Sequence, residues 1–202
     1  MKLAPPSFGV MLLAAAILTG CQTPKARAPR ASDAEPATWN NSYSLLHQLL
    51  NDQKNVGLLR FIKREEDDVK KLVKKIAADS AAGAKLLEEF ARHDPAINLA
   101  DIRLPPGEAA TREAIAATKK KELFSQKGDE FELSLLLTQH EALSYAWHLA
   151  KVAVKNEPEP GRARALAGVS ADMEKLYREV YVLLLSKIKT SSTNQAGLTS
   201  DP

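Results

Sequence analysis

All eleven prolines of this 202-residue chain fall at positions 5, 6, 24, 29, 36, 95, 105, 106, 158, 160 and 202. A proline inside a helix removes a backbone hydrogen bond and clashes with the preceding turn. These positions therefore leave three stretches open to long helices, 37–94, 107–157 and 161–201. Composition points the same way: 31 Ala and 28 Leu outnumber 16 Val plus Ile, and aromatics are 5%. An all-β chain is excluded. With 45% hydrophobic and 26% charged residues the chain has the balance of a globular protein, which argues against disorder throughout.

Apolar spacing places helices inside the three stretches. In the first, Leu45, Leu49, Asp52, Val56 and Leu59 predict a helix over 42–64, and Val69, Val73, Ile76, Ser80, Gly83, Leu87 and Phe90 follow the three-and-four steps of a second buried stripe. Ser80 and Gly83 within that stripe predict a close approach by a neighbouring helix. The run Glu65-Glu66-Asp67-Asp68 suits a helix N-terminus, with Glu66 to Lys70 and Asp67 to Lys71 as favourable pairs, so the break is placed near residue 65.

The connection from Pro95 to Gly107 has the length to cross the end of a bundle. Residues 108–124 are rich in Ala and Lys with a thin apolar face and predict an exposed accessory helix. Asp129, with Glu132 three residues on, predicts a capping box opening the next helix, over 129–156. That helix is apolar on two sides: Phe131, Leu135, Ala142, Leu149 and Ala153 on one, Leu136, Leu143, Trp147 and Val154 on the other. It is predicted to be the most buried. After the turn at 157–161, Leu166, Val169, Met173, Leu176, Val180 and Leu183 mark the last helix. The expected fold is all-α, an up-and-down four-helix bundle over residues 41–188 with a short accessory helix and a disordered polar tail, 189–202.

The start of the chain gives an address. Lys2 precedes a wholly apolar run, Val10 to Leu18, in the form of a secretory signal. Nine residues at ~1.5 Å rise span only about half of the roughly 30 Å hydrocarbon core, so a spanning helix is the weaker expectation. Leu18-Thr19-Gly20-Cys21 follows and resembles the lipobox of bacterial lipoproteins. The resemblance implies cleavage between Gly20 and Cys21, a diacylglycerol thioether on Cys21, and acylation of the new amino terminus, palmitate being the expected kind of chain. Several acyl chains hold a protein firmly on a membrane. Residues 21–40 then read as a lipidated, proline-containing flexible tether following a signal peptide at 1–20. Gln22 after the cysteine, rather than Asp, favours the outer membrane of the bacterial envelope, facing the periplasm. Cys21 is the chain's one cysteine, so neither an intrachain disulfide nor a multi-cysteine metal site is available.

Gly128-Asp129-x-Phe131, the helix carrying Gln139-His140-Glu141-Ala142, the acidic Pro-containing turn and the apolar last helix resemble a bacterial family of unknown function whose members are labelled outer-membrane proteins with a ferritin-like helical bundle. The segment from Val69 to Asp79 resembles that family's second helix. Coverage is about residues 42–185. The resemblance implies a ferritin-like bundle. The chain departs from the pattern at Asp79-Ser80, where the family often has Asp-His, and at Leu176-Tyr177, where it often carries His.

Di-metal bundles use Glu-x-x-His, because residues three apart on one helix face grip the same ion. His47, His93, His140 and His148 follow Ser44, Phe90, Leu137 and Tyr145 at that spacing, so the motif is absent. His140, Glu141 and His148 remain as weak metal candidates; Glu141 and His148 share a stripe with Glu130 and Lys155 that looks solvated. Tyr145 and Trp147 are candidates for a small-ligand pocket. Neither a Gly-rich phosphate loop nor a nucleophile motif occurs, so no catalytic residue and no cofactor is expected. The 28 basic and 25 acidic residues are interspersed, net charge +3, which argues against a nucleic-acid footprint. The expected function is a non-catalytic, membrane-anchored lipoprotein that binds or scaffolds an envelope component, with membrane lipid and an envelope protein as partners. A ferritin-like metal or redox protein and a carrier of a small apolar ligand are the alternatives.

Overall fold

The computed structural model describes residues 31–56 and 66–198, with side chains described over 38–56 and 66–190. Gly20, Cys21, the signal segment and the first part of the expected tether lie outside the described residues. Five helices follow in chain order: α1 (Ala31–Lys54), α2 (Asp67–His93), α3 (Pro106–Ser125), α4 (Gly128–Asn156) and α5 (Pro160–Leu198). No strand occurs among the described residues.

Four features differ from the sequence reading. Helix α1 ends at Lys54, short of the expected 64; residues 57–65 lie outside the described residues. Helix α1 begins at Ala31, inside the stretch read as tether. Pro36 lies inside this helix, against the proline punctuation read from sequence; Ala31, Ala34 and Ala37 are the best of helix formers and extend a helix already held by Trp39 and Tyr43. Helix α5 runs to Leu198, inside the stretch read as a disordered tail; once nucleated, a helix propagates through polar residues at small cost per residue. The expected capping box of α4 is not formed. Lys127 is the N-cap without a side-chain bond, and Gly128 starts the helix at φ 55°, a backbone state that suits glycine.

The buried stripes of α2, α4 and α5 follow the spacing read from sequence. Val69, Val73, Ile76, Ser80, Gly83 and Leu87 are buried on α2, and Leu166, Val169, Met173, Leu176 and Val180 on α5. Helix α4 buries residues on both of its apolar sides, among them Phe131, Leu135, Leu136, Leu143, Leu149 and Ala153. On α1 the stripe is different. Tyr43, Leu46 and Leu50 are fully enclosed and Gln53 is buried, while Asp52 is exposed. Leu45 and Val56 of the expected stripe are buried with them, whereas Leu49 is only half-buried, so the core face of α1 is wider than the stripe read from sequence.

Helix α1 packs on α2 and α4, α5 packs on α4 and α2, and α3 touches α4. Polar contacts fix the directions. The starts of α2 and α4 meet where the Glu66 amide donates to Glu132, and late α5 joins them through Lys187. The start of α1 meets the end of α4 where Trp39 donates to Glu157, and the end of α2 meets the start of α5 where Arg162 pairs with Asp94. Helix α4 therefore runs in the direction of α2, which corrects the expected up-and-down order. The physical reason is α3: twenty residues of helix, about 30 Å at ~1.5 Å each, carry the chain back along the outside before α4 begins. None of its residues is buried.

The close approach expected at Gly83 is present. A Cβ there would stand 3.0 Å from Leu50 Cδ1 and 3.6 Å from Val169 Cγ1, so α1 and α5 both come near the α2 backbone at this point.

Candidate functional site

At the pole where α1 begins, Glu157 just past α4 is the centre of a polar network, its side chain fully withdrawn from solvent at 0% exposure. Oε2 accepts from Trp39 Nε1 at 3.0 Å and from the Tyr43 hydroxyl at 2.5 Å. Oε1 accepts from the Glu159 amide at 2.8 Å and from Arg162 Nε at 2.9 Å and Nη2 at 2.8 Å. Arg162 Nη1 goes on to Asp94 at 3.0 Å. Burial alone would raise the Glu157 pKa, but the bonds from Tyr43, Arg162 and Trp39 hold its carboxyl below the usual range. Burial, then the bond to Glu157, pushes the Tyr43 phenol well above its ordinary range.

Beside this network two asparagines of α1 pin the connection between α2 and α3. Asn40 and Asn98 bond reciprocally, side-chain amide to carbonyl at 3.1 Å and amide to side-chain oxygen at 2.7 Å; Asn41 and Arg103 do the same at 3.1 and 2.8 Å. The side chains of α1 thus pair with loop backbone as a strand would. At the other pole Lys187 donates to Glu66 at 2.6 Å and pairs with Glu132 at 3.0 Å and Asp68 at 3.3 Å. Burial would lower the Lys187 pKa, but these carboxylates hold it above the ordinary ammonium range. Glu66, expected to pair with Lys70 along its own helix, reaches α5 instead.

The candidate site residues are not brought together. His140 stacks on Tyr177 of α5 at 4.2 Å between centroids, with Tyr181 at 5.7 Å, and its Nε2 is buried without a hydrogen-bond partner among the described residues. Glu141 faces α3, where Lys119 pairs with it at 2.6 Å. His148 is exposed and bonds the Ser144 carbonyl at 2.7 Å. No group of three His, Cys, Asp or Glu side chains that could hold a metal occurs among the described residues. Tyr145 lies under the Arg112 guanidinium of α3, 4.8 Å from its centroid, whereas Trp147 contacts Tyr177 of α5 at 5.8 Å and Lys151 at 5.2 Å. The two rings contact different helices, Tyr145 meeting α3 and Trp147 meeting α5. The glutamate in the turn 157–161, by contrast, was not singled out as a site. A signal was present: an acid three residues before Pro160-Gly161 and five before Arg162, facing an α1 with Trp and Tyr at four-residue spacing.

The outer face of α5 is the part of the surface that the sequence reading left out. Val182 is 67% exposed, Tyr181 48%, Ile188 46% and Leu185 39%, with Leu137 of α4 exposed as well. An open groove along this helix is lined by Glu174, Lys175, Arg178, Val182 and Ser186 among others. No described helix is long and apolar enough to cross a membrane.

No family model matches the chain, and no curated protein matches it. Among solved structures it is similar to the DUF305 protein of Streptomyces coelicolor, which carries the label of a secreted protein. Identity is 17% and the TM-score 0.55, over 76% of this chain and 93% of that one. At that identity the likeness is one of fold: an all-helical domain in both.

Proposed function

We propose that the chain is an extracytoplasmic lipoprotein, anchored through acylated Cys21, whose four long helices form a ferritin-like bundle that binds or scaffolds an envelope component without catalysing a reaction. The secreted label of the Streptomyces protein with the same fold and the signal-like start of this chain support the address. One observation carries the functional side: the carboxylate of Glu157, its side chain closed off from solvent, has both oxygens occupied by internal donors, whereas a strip of large apolar side chains on α5 faces outward. Chemistry-bearing groups are turned to holding helices together, and binding surface is turned to the outside. The membrane-lipid partner is the acyl anchor, and the outer membrane facing the periplasm is the proposed location.

The test is Cys21→Ala in cells. Unprocessed precursor, or a chain no longer carried with membranes, is the expected result. Normal acyl labelling of that variant overturns the anchor.

A further inference from the structure

We infer that α3 is a strap latched on α4 by charge, released by rising ionic strength while α1, α2, α4 and α5 stay folded. Its two ends are fixed by apolar packing: Leu104, just before Pro105, and Leu123, near the end of the helix, both lie against the core. The stretch between them is different. No residue of α3 is buried, and from Pro106 to Glu122 the two side chains that are less than fully exposed are Arg112 and Lys119, two turns apart on one face. Ile115, the large aliphatic residue of that stretch, is turned outward at 51% exposure. An amphipathic helix ordinarily sets its aliphatic side inward and its charges outward. The middle of α3 does the reverse.

Both inward cations meet partners on α4. Lys119 pairs with Glu141 at 2.6 Å, and the Arg112 guanidinium stands 4.8 Å from the ring centroid of Tyr145, one turn further along α4. Glu108, one turn earlier on α3, holds Arg112 in place by accepting from its Nε at 2.7 Å. These ties are electrostatic, and the Lys119 and Glu141 side chains keep 28% and 63% of their exposure, so dissolved ions reach them.

Screening then works on the middle of the strap and leaves the bundle alone. The distance over which charges act falls from about 10 Å at 0.1 M salt to about 3 Å at 1 M, whereas burial of the aliphatic stripes of α2, α4 and α5 does not depend on charge. Once released, a helix of this length has little to hold it in water, so its amides lose protection as its contacts break. Release also uncovers Tyr145, which is half-buried in the latched state.

Hydrogen exchange of the full-length chain, read as protection factors at about 0.1 M and about 1 M sodium chloride, tests the latch. Between those two salts α3 protection is expected to fall about three- to tenfold, while amides around Leu143 and Ala146 of α4 keep theirs. Glu141→Lys changes α4 alone, at a side chain 63% exposed, so its effect on α3 amides passes through the contact and not through the helix propensity of α3. It is expected to lower α3 protection at low salt several-fold and to blunt the salt response. Lys119→Glu should act alike, and the two together restore the pair with its charges exchanged, returning α3 protection and its salt dependence toward the parent. Salt-independent α3 protection in the parent, unchanged α3 exchange in Glu141→Lys, or a double variant no better protected than either single overturns the inference. An equal fall in α3 and α4 overturns it too, since the bundle would then be opening as one.

Discussion

Tyr43 and Glu157, 114 positions apart in the chain, share a 2.5 Å hydrogen bond in which the phenol donates to a fully enclosed carboxylate. The same carboxylate oxygen accepts from Trp39, so the third and fourth turns of α1 are fastened to the end of α4 by two aromatic donors. Replacing Glu157 by Ala leaves Tyr43 and Trp39 without their acceptor and Arg162 with Asp94 alone. The expected loss of stability is about 3 kcal/mol, the scale of breaking a buried charge pair from one side, read as a lower urea midpoint with an unchanged m-value.

Glu157 also sets an acid dependence. Its folded pKa lies below the unfolded value because Tyr43, Arg162 and Trp39 favour the ionised form despite burial. The stabilisation is therefore complete above the ordinary glutamate pKa, about 4.3, and is lost as pH falls through the lower folded value. Urea unfolding between neutral pH and acid should show stability falling in that window, with a shallower fall for Glu157→Gln. An equal fall in both proteins would assign the acid dependence to other carboxylates.

Two glycines in helices should respond oppositely to substitution. Gly168 of α5 is exposed and has nothing within 4 Å of an added Cβ, so Gly168→Ala is expected to raise stability by about 0.5–1 kcal/mol through helix propensity. Gly83 faces Leu50, itself fully enclosed, at 3.0 Å. Gly83→Val should destabilise by about 1–3 kcal/mol, because a branched side chain overpacks the junction of α1, α2 and α5. Thermal unfolding of the two variants beside the parent checks both signs.

Helix α3 should open far below the global unfolding free energy. It has no buried residue, and its side-chain ties to α4 include the Lys119–Glu141 ion pair at 2.6 Å and the Arg112–Tyr145 contact. Exposed ion pairs contribute little, about 0–1 kcal/mol. Native-state hydrogen exchange is expected to find the α3 amides exchanging orders of magnitude faster than those around Leu143 and Ala146 of α4; equal protection would contradict the structure's picture of α3.

The sequence made the helices legible wherever apolar spacing met proline punctuation. Val69 to Leu87 and Leu166 to Val180 were readable because each stripe is aliphatic and unbroken in its period. Helix α1 was misread because its core face includes Tyr43, Ser44 and Gln53, residues whose burial depends on partners far along the chain. The direction of α4 was hidden for a similar reason. Nothing local to 106–125 says that an exposed helix returns the chain to the opposite pole; that follows from contacts such as Glu66 with Glu132. Glu132 looked like a capping residue because its spacing from Asp129 fits, but two donors from other helices claim its carboxylate. Tyr145 and Trp147 looked like neighbours, yet two positions on a helix differ by about 200° and face apart.

The parallel course of α2 and α4 also has a kinetic consequence. Antiparallel α1–α2 and α4–α5 are each joined by a connection short in sequence, whereas α1–α4 and α2–α5 contacts need the whole segment 94–127 to be spanned. Each hairpin has low contact order and so belongs to the fast class of structures. The slow event is then their mutual docking, with closure of one long loop. A chain synthesised from its amino terminus must present the inner faces of α1 and α2 unpaired until α4 has followed, so the first hairpin passes through a period in which its apolar side has no cover.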